Sequence, residues 1–202
     1  MMNHFPSKTT AWLAVVVGIA TILGVIFLSL FFAVGQLWGS LNDAFIALEA
    51  ILSAALAWTL YSTLRSGSPA LSLFGLIAAG VGALVVIIGS WLVISGKTDY
   101  VLAEHYMSLG FGLIGLWLLI LNDQFGKSRL LPTQLIRFGL IVGVFMLVGL
   151  LSGYGVVHGL GGNDITPWFV QAGDIAGVVG WMILYPIWCI WLGRALLSSS
   201  AR

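Results

Sequence analysis

Residues 11–35 read AWLAVVVGIATILGVIFLSLFFAVG, a run of 25 without one charged side chain. At ~1.5 Å per residue such a run makes a helix ~37 Å long, enough to cross the ~30 Å hydrocarbon core of a bilayer. Lys8 precedes it, as a basic residue precedes the apolar core of a secretory signal. That core holds only about 7–15 residues, so a permanent first transmembrane helix is expected here.

Five further runs match it. The six expected helices cover about 11–35, 43–62, 70–95, 100–121, 134–157 and 168–193. The breaks between them carry helix-start chemistry. Ser68-Pro69 and Thr166-Pro167 each place a capping residue before a proline at the first helical position, and Pro132 precedes the fifth run. Ser40 to Asp43 would open the second helix, and Thr98 or Asp99 the fourth. The connections are short, so consecutive helices should be antiparallel neighbours. No segment is long enough for a separate soluble domain. The expectation is all-α, one six-helix transmembrane bundle spanning residues 1–202.

Composition agrees. Charged residues make up 7% of the 202-residue chain, where a soluble domain keeps about a quarter. Mean hydropathy is +1.08. Such a chain lacks the polar side chains to cover a water-facing surface, so lipid is its expected partner. The net charge of +1 offers no electrostatic footprint for nucleic acid. Cys189 is the sole cysteine, which excludes an internal disulfide and CxxC redox chemistry.

Basic residues near helix ends stay on the cytoplasmic side. With the N-terminus inside, Lys8, Arg65, Lys127, Arg129, Arg137, Arg194 and Arg202 fall in inner segments and Lys97 alone falls outside. An odd number of helices would break this alternation. Both termini are therefore expected to be cytoplasmic, in a plasma membrane and, from the small size and short loops, a bacterial inner membrane. Trp38, Trp91, Tyr100, Tyr106 and Trp168 then fall near the outer interface, and Trp12, Trp58, Tyr61, Trp188 and Trp191 near the inner one. Trp117 and Trp181 lie deeper, as packing residues.

Lipid gives helices little hydrophobic reason to associate, so close backbone approach must supply it. Gly75, Gly82 and Gly89 recur every seven residues, and Gly139/Gly143 and Gly173/Gly177 have GxxxG spacing. Packing within the chain is the expected use of these faces; a homo-oligomer or a membrane partner is the alternative use.

The acidic residues carry the functional reading. In this topology Asp43, Glu49, Asp99, Glu104, Asp164 and Asp174 all fall in the outer half, and only Asp123 lies inside. Asp43, Asp99 and Asp164 sit where a helix N-terminus wants a cap. Glu49 and Asp174 lie further in, where an ionisable group costs a few kcal/mol and by default marks a functional site. Asn42, Glu49 and Ser53 share one helical face, and Gln171, Asp174, Val178 and Tyr185 another. The expected site is an outward-facing acidic pocket of Glu49, Asp174, Asn42, Ser53, Gln171 and Tyr185 for a cation, a proton or a small cationic ligand. A second reading is a metal- or haem-binding enzyme using Glu104, His105 and His158. No HExxH or paired-histidine helix supports it, so no metal and no cofactor is assigned. A third is a non-catalytic membrane subunit or sensor. The lack of a Ser-His-Asp spacing or a glycine-rich phosphate loop leans away from an enzyme.

Overall fold

The computed structural model describes residues 7–65, 68–128 and 130–199. Arg129 and Arg202, two of the residues on which the orientation rests, lie outside them. The described chain is all-helical, with no strand, and six of its helical spans are long and apolar enough to cross a membrane.

Helix α1 (Lys8–Val34) is capped by Ser7, whose Oγ accepts from Thr10 N at 3.2 Å. A single residue, Gly35, separates it from α2 (Gln36–Leu64). Its φ of +131° is a conformation that side-chain-bearing residues rarely adopt. The chain reverses there without a loop, and α2 starts seven residues before the expected Asp43. Helix α3 (Pro69–Ile94) starts at a proline, but Ser68 makes no side-chain capping bond. Helix α4 (Tyr100–Ser128) follows a short turn. The fifth span is broken: α5 (Thr133–Val148), a 3-10 turn (Gly149–Ser152) and α6 (Gly153–His158). The sixth is broken too, as α7 (Trp168–Val178), a π turn (Val179–Leu184) and α8 (Tyr185–Ser199).

Consecutive spans pack side by side, and α8 returns against α1 to close the ring. Helix α4 takes the interior position: 61% of its most apolar stretch is buried, against 33–44% for the other spans. Its glycines explain how. A Cβ on Gly110 would meet the Gly82 carbonyl of α3 at 2.6 Å, and one on Gly115 would meet Met146 Cβ of α5 at 2.6 Å. The glycine faces noted in the sequence are thus covered from within the chain. Gly82 lies on Gly110, Gly89 on Tyr106, Gly143 on Leu119, and Gly177 on Gly149. The last pair brings the 3-10 turn of the fifth span against the sixth just before its π turn, with no side chain between the backbones.

Trp12, Trp58, Trp91 and Trp168 are exposed, as residues of an interfacial belt would be. Trp188, expected in the inner belt, is instead fully buried. Its ring stacks with Tyr185 and meets Trp117 edge-on.

Candidate polar sites inside the bundle

The candidate residues that reach the interior include two separate groups. The first joins α4, the 3-10 turn and α7. His105 and Asp174 are 1% and 8% exposed, and His105 Nδ1 lies 3.0 Å from Asp174 Oδ2. The approach does not have the geometry of a hydrogen bond, and the contact is an ion pair only when the imidazole is protonated. Ser152 Oγ donates to the other carboxylate oxygen, Asp174 Oδ1, at 2.5 Å. His105 Nε2 is buried without a partner. Gly155 lies flat against the imidazole, leaving no room for a Cβ. Ser108, one turn below Glu104, is fully buried with an unpartnered hydroxyl. Glu104 is half-buried and within electrostatic reach of both His105 and Asp174.

Ser, Asp and His therefore meet here, but not as a hydrolytic triad. In such a triad histidine stands between the hydroxyl and the acid and takes the hydroxyl proton. Here the acid stands in the middle and holds both partners, so the serine has no base.

The second group lies at mid-bundle. Glu49 is 1% exposed and one residue from the midpoint of the 29-residue α2. Because α2 starts at Gln36 and not near Asp43, Glu49 lies about 20 Å along the helix. The Thr21 hydroxyl of α1 lies beside its carboxyl, and Oε1 has no partner. Tyr185 Oη donates to Ser53 Oγ at 3.0 Å, and Cys189, one turn further along α8, is buried beside Tyr185 and Glu49.

The single pocket expected from the sequence is thus divided. Glu49, Ser53 and Tyr185 come together, but Asp174 does not join them. Tyr185 follows Asp174 by eleven residues, about 16 Å along a helix. The Phe111–Trp181 stack, ring centroids 4.5 Å apart, occupies the level between. Gln171 is exposed, and its Nε2 donates to Thr166 O at 3.0 Å, so it does not share the Asp174 face. Asn42 is buried near the N-terminal end of α2, about 10 Å from Glu49 along the helix.

His158 is exposed, stacks on Tyr154 and contacts Tyr154 O through Nδ1 at 2.9 Å, so it does not converge with His105. Among the described residues no three His, Cys, Asp or Glu side chains form a set that holds a metal ion.

Of the three expected acidic caps, Asp99 alone caps a helix. Its Oδ1 accepts from Leu102 N at 2.9 Å, and its Oδ2 reaches across to Gly162 N at 3.0 Å. Together these bonds hold its carboxyl below the usual carboxylate range. Asp164 instead closes its own loop, accepting from Gly161 N at 2.7 Å. Asp43 lies inside α2 because that helix starts early.

Ser152 and Gly155 are the participants that sequence reading missed. The run Ser152-Gly153-Tyr154-Gly155 is a local polar and small-residue interruption of an apolar span, and it was the available signal.

Comparison with protein-family models, with curated proteins and with solved structures gives no match.

Proposed function

We propose that this is a multi-pass membrane protein that takes up and passes on a proton at the His105–Asp174 pair. We place both termini in the cytoplasm, the bilayer as a bacterial inner membrane, and the pair toward the outer face. The observation that carries the reading is the 3.0 Å contact between two ionisable side chains sealed among apolar helices. Ionisable groups inside a membrane are costly and commonly mark proton relays or ion pathways. Asp174 holds Ser152 and His105, while His105 Nε2 offers a second, unpartnered exchange position. Glu104, half-buried beside them, is the route to the outer surface. Glu49, with Oε1 unpartnered near Tyr185 and Ser53, is a second station at mid-bilayer.

The competing reading is a subunit or sensor without transport. It draws on the Phe111–Trp181 stack, which fills the level between the two stations. Potential-driven proton flux in proteoliposomes separates the two. Flux through the wild type that falls at least about tenfold in Asp174→Asn and Glu49→Gln supports the relay. Equal flux in wild type, both variants and empty liposomes removes it in favour of the subunit.

A further inference from the structure

A cleft of about 250 Å³ opens between the outer ends of α1, α2 and the α3–α4 turn. Part of its polar wall comes from the second turn of α2, where Asn42 and Asp43 are buried. Asn42 is 3% exposed, and its Oδ1 has no hydrogen-bond partner. The neighbouring Asp43, 6% exposed, receives a long 3.4 Å contact from Asn42 Nδ2. Asp99 also borders the cleft, but its two carboxylate oxygens already accept backbone N–H groups. The basic residue on that turn, Lys97, has its ammonium 4.0 Å above the Trp91 ring. No ion pair joins Asp43 to a basic side chain among the described residues. The rest of the wall mixes the neutral polar side chains of Gln36, Ser40 and Thr98 with apolar and aromatic surface, Phe31 and Tyr100 among it. Phe31 is seated on Gly39, where a Cβ would meet its ring at 2.9 Å.

We propose that this cleft binds a small organic ammonium ion. Asp43 supplies the counter-charge, and the Phe31 and Tyr100 rings flank the apolar substituent.

The chemistry selects this class. A bare metal cation wants a close shell of several oxygens; here the Asp99 oxygens are committed to backbone N–H groups, and among the described residues no three His, Cys, Asp or Glu side chains converge. The volume is below the roughly 300–1,000 Å³ typical of sites for drug-sized ligands. Ammonium groups gain from carboxylates and from aromatic faces together. The site uses different side chains from the proton relay and does not depend on it. The same ammonium chemistry is carried by a free amine and by an ethanolamine lipid headgroup.

The test is calorimetric titration of phenethylammonium chloride into the full chain in nanodiscs, with empty nanodiscs and the uncharged phenethyl alcohol as controls. The wild type is expected to bind the amine saturably and the alcohol at least about tenfold more weakly. Asp43→Asn, checked for an unchanged elution profile and melting temperature, is expected to lose a similar factor. Because the alcohol comparison uses unaltered protein, it stands even if that variant misfolds. Weaker amine binding in phosphatidylethanolamine than in phosphatidylglycerol nanodiscs identifies the headgroup as the competing natural source; equal binding identifies a free amine. Equal binding of amine and alcohol, undiminished binding by a folded Asp43→Asn, or no saturable signal above empty nanodiscs overturns the proposal.

Discussion

Gly155 lies face to face with the imidazole of His105, and no side chain fits between them. This contact from α6 sets the ring's plane while Asp174, from α7, approaches its Nδ1 at 3.0 Å. The position of the buried histidine therefore depends on a residue with no chemistry of its own.

Gly155→Ala is expected to cost about 1–3 kcal/mol, the usual penalty for overpacking a filled interior, and to displace His105. Gly80→Ala is the control, since a Cβ there meets nothing within 4 Å. Thermal unfolding in detergent should show a lowered melting temperature for the first and none for the second.

The bond from Tyr185 to Ser53 spans two distant parts of the chain at mid-bundle. Interhelical hydrogen bonds in membrane proteins average about 0.6 kcal/mol by double-mutant cycles. A cycle of Tyr185→Phe and Ser53→Ala, read by denaturant unfolding, should give a coupling of that order. A coupling indistinguishable from zero would mean that the two hydroxyls meet without holding the helices.

Asp99 ties the α3–α4 turn to the loop that joins the fifth and sixth spans through Gly162 N. Its carboxyl is held below the usual range by the backbone N–H bonds it accepts, Leu102 first and then Gly162. A group with a depressed folded pKa stabilises above its ordinary value and loses that contribution as pH falls through the lowered one. Hydrogen exchange at Gly162 N should therefore be faster in Asp99→Asn than in wild type at neutral pH. The difference between the two proteins should shrink as strong acid protonates Asp99.

Orientation has its own test. Reporter tags inserted after Asn163 and after Ser128 should emerge on opposite faces of the membrane, with the second cytoplasmic. Tags on the same face would undo the six-span topology.

The spans were legible in the sequence because hydropathy is a local sum that needs no knowledge of neighbours. Pro69 marked a helix start for the same reason, since a proline limits its own backbone. What escaped the sequence depends on contacts between distant segments or on one dihedral angle. A lone Gly35 with positive φ replaces a loop, and this moves Asp43 off a helix end and Glu49 to the middle of α2. The π turn of the sixth span, between Asp174 and Tyr185, ends the simple spacing that put those two on one face. The pairing of Asp174 with Ser152 and His105 joins the sixth span to the fifth and fourth, and no spacing within one helix encodes it.

The measurement to make first is the pH-difference infrared spectrum of the protein in liposomes, recorded for wild type, Asp174→Asn and Glu49→Gln. If Asp174 exchanges a proton inside the bilayer, acidification produces a protonated-carboxyl band that Asp174→Asn lacks and Glu49→Gln keeps. A band of equal size in the wild type and in Asp174→Asn shows that this carboxyl does not take up the proton, and the relay built on the His105–Asp174 pair is then wrong.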